Sequence, residues 1–404
     1  MADQFDVRDY GARGDGKTVC TGAIQQAIDA CHEAGGGRVV CGVGNWVTGS
    51  LELRSHVELH LGAGCRIVGS ARLDDYQPLV AEGFRGDLAP EGCTHSLVRA
   101  VGAEDVAITG PGTIDGAGLA FYDAQQTEGK LSKPATPRPR IGMFYRCRGV
   151  RIQETTFVDS ACWTLWLMRC EAARIHGITI RGNRRMRNVD GIDLDACRDV
   201  TVSDCLIDTE DDCLVLRAIQ NLYDAPAVCE NVTVTNCVLR TACQGVRVGC
   251  PGDGVIRNST FSNLVIESTH NGILFENPHR YLPAGTPGRL DVTNIRFSGV
   301  VITCRDTPIG IVVEPGIALT RLADLSFSDF SIRSGKPCLV QGSPETTVRN
   351  IRFSHLQIET TGDDAILCRH CEGLKLTDVE LSNRPERLPP QAPGLPSAAA
   401  TRRP

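Results

Sequence analysis

From residue 150 onward the chain repeats one short phrase: GVRIQETTFV, DVTVSDCLID, NVTVTNCVLR, NIRFSGVVIT, DLSFSDFSIR, NIRFSHLQIE and GLKLTDVELS. Each is an apolar, polar, apolar triplet followed about five residues later by another apolar position. Aligning the first apolar position gives Val150, Ala173, Val200, Val232, Ser259, Ile295, Leu325, Ile351 and Leu374, separated by between 23 and 36 residues. Strand-like alternation recurring at such a period predicts a solenoid in which short strands stack coil upon coil in parallel ladders ~4.8 Å apart. The fold class expected is therefore all-β, a parallel β-helix.

The N-terminal part departs from this phrase. TGAIQQAIDACHEAGGG places Ala23, Ile24, Ala27, Ile28 and Cys31 at helical spacing and stops on a glycine run, which predicts a capping α-helix over about 21–34. After it, SLELRSHVELHLGAG alternates strictly and is expected to start the first coils. Residues 119–140 and 277–290 break the rhythm with Pro, Gly and charge and are expected to be long loops beside a functional face. Residues 1–383 are read as one β-helix domain and 384–404, rich in Pro and Ala, as a loosely attached tail.

Composition narrows the partners more than the fold. Glycine at 42 residues and aromatics at 5% suit a turn-rich aliphatic stack. The net charge of −6, with acids and bases interspersed, leaves no basic footprint for nucleic acid and no polybasic segment for a membrane surface. No apolar run approaches the ~20 residues that span a bilayer. MADQFDVRDYG lacks the regions of a secretory signal, so a cytoplasmic location is expected of the chain as written, although a mature secreted or periplasmic form behind an initiator Met would read the same. The nineteen cysteines follow the register: Cys147, Cys170, Cys197, Cys229 and Cys371 precede an anchor by three residues, while Cys205 and Cys237 follow one by five. Such columns predict buried free thiols; Cys368 and Cys371 form one CxxC-like pair with no second pair to complete a metal site.

A second set of strands runs between the anchors: NVDGIDLDA, EDDCLVLRA, ACQGVRVGC and THNGILFEN. Taking Gly191, Cys213, Gly245 and Gly272 as equivalent, the residue before each is Asp190, Asp212, Gln244 or Asn271, a polar column on one face. Asp190 and Asp212 lie 22 residues apart, one short coil, and Asp211 flanks Asp212. Glu210 reads as an ordinary turn residue. Clustered carboxylates have two chemical uses here. In an inverting glycosidase two of them hold and deprotonate water while a third, kept protonated, donates to the leaving oxygen. In a calcium-dependent lyase the cluster would hold the metal beside a basic residue.

At these residues the chain resembles glycoside hydrolase family 28, the polygalacturonases and rhamnogalacturonases. FDVRDYGARGDGKT, the AIQQAIDAC helix, the GGG stop and GTIDGAG are similar to the opening of pectinase-type parallel β-helices, while NVDGID and EDDC resemble the family's NTD and DD motifs. The resemblance implies a right-handed β-helix, water activation by Asp190 and Asp212, Asp211 as general acid, inversion at the sugar, and no metal or other cofactor. Asn188 opens the first of these motifs and is placed with the substrate. Two departures stand out. Gln244 occupies the place of the family's histidine, with His270 one coil further on as a candidate substitute. Leu274, Phe275 and Glu276 occupy the place of the Arg and Lys that grip a galacturonate carboxylate. Positive charge lies nearby instead: Arg247 is equivalent to Leu274 one coil earlier and Arg217 to Glu276 two coils earlier, while Arg184, Arg185 and Arg187 precede Asp190.

The leading expectation is thus an inverting hydrolase of pectic poly- or oligosaccharides, with a rebuilt leaving-side subsite that argues against ordinary polygalacturonase action and suits rhamnogalacturonan or exo action on oligosaccharides. Substrate contacts are assigned to Asn188, Gln244, Arg247, Arg217, His270, Asn271, Glu276 and Arg187. A lyase or a non-catalytic glycan-binding β-helix are the alternatives. The expected partner is carbohydrate, with the protein a monomer or weak oligomer.

Overall fold

The computed structural model describes residues 4–123, 125–126, 128–282, 288–361 and 363–383, so the tail expected over 384–404 lies outside the described residues. By internal contacts the chain forms two compact units. The first holds the residues up to Ile192 together with Asp208–Glu210; the second holds Asp193–Ile207 and the chain from Asp211 onward. Each is a stack of parallel strands, and the fold is the right-handed parallel β-helix expected, the hand that parallel crossovers almost always take.

In the first unit one ladder runs through Gly37–Cys41, Val57–Leu61 and Ala107–Thr109 to Arg151–Gln153 and Arg174–His176. Val57–Leu61 alternates buried and half-buried as its sequence predicts. The stack nevertheless begins before the helix, not after it: Gln4–Asp6 already pairs in parallel with Arg38, Val39 and Val40. Three residues carry too little alternation for that rung to show in the sequence.

The helix Thr21–Glu33 turns Ile24, Ala27, Ile28 and Cys31 into the unit. It ends because Gly35 and Gly36 adopt φ of +93° and +113°, with the Gly36 N–H donating to the Cys31 carbonyl at 2.9 Å. A Cβ on Gly36 would stand 2.7 Å from the His56 carbonyl oxygen, so the chain there has to be glycine. Gln25 caps the strand Leu51–Glu52 in both directions, donating to the Glu52 carbonyl at 3.0 Å and accepting from its N–H at 2.8 Å. Backbone groups that an open ladder would leave unpaired are thereby met.

The second unit contains the long strands Val255–Ser268, Asp291–Cys304, Arg321–Ser334 and Val348–Thr360. Their register matches the predicted anchors, with Ser259 opposite Ile295, Ile295 opposite Leu325 and Leu325 opposite Ile351. The second strand set is also in the predicted register: Gln244 opposes Asn271, Arg247 opposes Leu274, and Arg217 opposes Gly249, which opposes Glu276. Cysteines fill positions of these stacks as free thiols, and all but Cys243, Cys368 and Cys371 are buried.

Candidate active site

In the first unit the chain 183–190 delivers Asp190, which is 2% exposed and accepts the Thr164 N–H on its backbone carbonyl at 2.9 Å. Asn188 sits two residues earlier in the left-handed region at φ 59°. Its Oδ1 accepts from the buried guanidinium of Arg138 at 3.3 Å. That guanidinium also donates to Tyr122 Oη at 2.6 Å and to the Arg187 carbonyl at 2.8 Å. Arg187 is exposed, and its Nε donates to the Leu131 carbonyl at 3.1 Å. Arg184 pairs with Asp208 at 2.6 Å and Arg185 donates to the carbonyls of Gly129 and Gln126. The arginine run ahead of Asp190 thus ties its segment to the 119–140 loop and to Asp208.

Glu210 belongs to the same unit and is more than the ordinary turn residue expected. It is 2% exposed and pairs with Lys130, which comes from the 119–140 loop. Burial pushes its carboxyl up, while Lys130, the Asn188 N–H and the field of Arg187 act in the opposite direction.

The second unit carries Asp211, Asp212 and the predicted column. Asp212 is fully buried, its N–H donates to Asp211 Oδ1 at 3.1 Å, and its Oδ2 accepts from Arg247 at 3.1 Å. Arg247 also pairs with Glu276, so one buried guanidinium bridges two carboxylates. Burial opposes that charge, but the carboxylates of Asp212 and Glu276 outweigh it and hold the guanidinium firmly protonated. Arg280 approaches Glu276 at 3.5 Å, and the ring of Tyr281 lies 4.9 Å from Arg280 and 5.8 Å from Arg247. The Thr241 hydroxyl donates to the Asp211 carbonyl at 2.5 Å and accepts the Cys243 N–H at 2.8 Å, which ties this turn to the next coil. Cys243 places its thiol with the Asp211 and Asp212 oxygens inside 4.8 Å, and burial beside both carboxylates pushes that thiol up. Two carboxylates, one already neutralised by Arg247, and a soft thiol do not make the oxygen cage that calcium takes.

Two further predicted contacts, Arg217 and His270, are engaged by protein carboxylates. Arg217 is buried on Asp193, at 2.8 Å, and donates to the Cys250 carbonyl at 2.7 Å, so its charge is consumed inside the unit. His270 is half exposed, pairs with Asp306 at 3.1 Å and donates its backbone N–H to the Cys243 carbonyl at 3.3 Å. Asn271 stacks on Gln244 as predicted. Asp212 Oδ1 and Gln244 Oε1 are both buried with no protein hydrogen-bond partner among the described residues, two acceptors positioned for donors that a sugar or water supplies. The sequence reading missed Lys130, Arg138, Arg280 and Tyr281. The signals available were the two breaks in coil rhythm and, for Tyr281, an aromatic residue in a chain that has few.

The family model of glycosyl hydrolases family 28 matches residues 90–388. A probable polygalacturonase of Vitis vinifera is 32% identical over 217 residues, covering 52% of this chain and 43% of its own length, so the chain spans less than half of that relative. An endo-polygalacturonase of Pectobacterium carotovorum subsp. carotovorum is 22% identical over 355 residues, covering 83% of this chain and 85% of that protein. Among solved structures, the hyperthermoactive exopolygalacturonase from Thermotoga maritima superposes with a TM-score of 0.76 at 22% identity, covering 96% of this chain and 93% of that one.

Proposed function

The chain belongs to the glycosyl hydrolases of family 28, and from that premise we propose that it hydrolyses pectic poly- or oligosaccharides with inversion, using Asp190 and Asp212 to activate water and Asp211 to protonate the leaving oxygen. Asp212 suits the base because its two oxygens have different surroundings. Oδ2 is held by Arg247 at 3.1 Å, while Oδ1 has no protein partner and can accept a proton from water. Asp211, the neighbour of that base in the chain, is left as the proton donor to the leaving oxygen.

The observation that carries the finer reading is the bridge from Asp212 through Arg247 to Glu276. A cation that would grip a uronate carboxylate is here engaged by two protein carboxylates, and a third anion would have to displace one of them. The leaving-side subsite is therefore read as one that accepts a neutral sugar, which favours rhamnogalacturonan-type chains or exo action on oligosaccharides over plain homogalacturonan.

Incubation of the protein with galacturonate and rhamnogalacturonan oligosaccharides, with product anomers followed by NMR, tests this. Inverted product from the rhamnogalacturonan oligosaccharide, abolished by Asp211→Asn and by Asp212→Asn, is expected. Retained configuration or an unsaturated product would overturn the mechanism. Equal rates on trigalacturonate would overturn the subsite.

A further inference from the structure

Lys130 and Glu210 lie outside every role assigned above, yet Glu210 is the residue directly before Asp211 in the chain. Its side chain is only 3% exposed, and a carboxylate so far from water costs several kcal/mol unless its charge is met. Lys130 meets it, reaching in from the loop while staying 44% exposed itself. A second Glu210 partner, the Asn188 N–H, comes from the segment that carries Asp190. The loop is in turn tied to that segment beside Lys130, because the Leu131 N–H donates to the Arg185 carbonyl at 2.7 Å. One buried carboxylate thus gathers the loop, the approach to Asp190 and the residue that leads into Asp211 and Asp212.

We propose that the Lys130–Glu210 ion pair is the anchor that fixes these turns, so that Glu210 and Lys130 are positioning residues for the hydrolytic step. The inference rests on the catalytic reading of the three aspartates. An anchor of this kind acts on kcat more than on KM, since catalysis is sensitive to displacements of about 1 Å in the acid and base, whereas sugar binding is spread over many contacts. The first unit supplies its own comparison: Arg38 pairs with Glu58 at 3.1 Å, also a partly exposed cation on a largely buried glutamate, but on strands that carry none of the residues around Asp190.

The test compares Lys130→Met, Lys130→Arg and Arg38→Met by steady-state kinetics on a rhamnogalacturonan hexasaccharide and by hydrogen exchange over residues 208–213. Lys130→Met is expected to lower kcat at least about tenfold with KM within about twofold. Lys130→Arg should recover most of that loss, Arg38→Met should leave kcat unchanged, and only Lys130→Met should quicken exchange at 208–213. Equal behaviour of the two Met variants, or a rise in KM at constant kcat, would overturn the proposal. Glu210→Gln is the safeguard where Lys130→Met does not fold: it keeps the shape, sheds the buried charge, and is expected to fold yet lose kcat; full activity in it counts against the anchor. Were the wild type to cleave none of the sugars, the proposed function would fail while the exchange comparison still decided whether the anchor exists.

Discussion

Arg247 holds two acids, Asp212 and Glu276, from a position where it is itself 6% exposed. Removing a buried cation leaves its partners charged and desolvated, so Arg247→Met is expected to cost about 3–5 kcal/mol, read as a lowered urea midpoint. Arg247→Met combined with Glu276→Met should cost less than the single change, because one stranded charge is gone. At Glu210 the same physics appears as pH dependence. Burial raises its pKa above the ordinary 4.5, with Lys130 and Arg187 as the opposing charges and the Asn188 N–H as a further donor. The folded state then binds this proton more tightly than the unfolded chain, so the contribution is full below the unfolded value and is lost as pH rises through the folded one. Thermal melts between about pH 4 and 8 should fall more steeply in Lys130→Met than in the wild type, and less steeply in Glu210→Gln. Of the polar column, the stacking of Gln244 on Asn271 was legible in the sequence, since both hold one place in a repeated strand. Glu210 was not, because what buries it is a lysine from a loop that obeys no period.

Where the coils repeat, side chains stack on their own kind, and the period that revealed the coils also predicts these columns. Phe261, Phe297, Phe327 and Phe353 form a face-to-face ladder with centroids 4.4, 5.5 and 5.1 Å apart, each ring buried. Phe327→Ala removes a ring with stacked neighbours on both sides and is expected to cost about 3–5 kcal/mol in urea unfolding. The bends in the long strands follow a second column, Asn258, Asn294, Asp324 and Asn350, all with φ between 53° and 59°. Asn and Asp tolerate this left-handed conformation better than other residues with a side chain. The side chains also link coils, as when Asn294 donates to Asn258 Oδ1 at 2.9 Å. Asn294→Ala loses both the tolerance and the hydrogen bond, at about 1–2 kcal/mol, whereas Asn294→Gly loses chiefly the bond and should be milder. A ranking with Gly below Ala would refute the conformational part of that account. Neither loop break could be read this way, since a ladder argument needs a neighbour one coil away.

Across the whole chain, thiols offer a gauge of how firmly each part of the stack is closed. Cysteine appears nineteen times, and only Cys368 is exposed. Its neighbour Cys371 is pushed up to about 12 by burial and by Cys368, so it stays protonated at neutral pH and reacts poorly. A thiol reagent added to the native protein should therefore label a single site quickly, a burst that Cys368→Ser removes, and label all nineteen after denaturation. Cys93 breaks the simple link between burial and inertness. It has no exposed surface, yet a hydrogen bond from Cys162 and the nearby Arg140 guanidinium outweigh burial and draw its thiol down. A thiol so disposed is chemically ready but sterically shut, so its labelling has to wait for a local opening of the first unit. Cys93 should then be modified in a slow phase that urea accelerates well below the global midpoint. Cys338, fully buried and pushed up to about 12 by burial, should wait for unfolding of the second unit. Simultaneous labelling of the two would show that the stack opens only as a whole; separate phases would show that the units open one at a time.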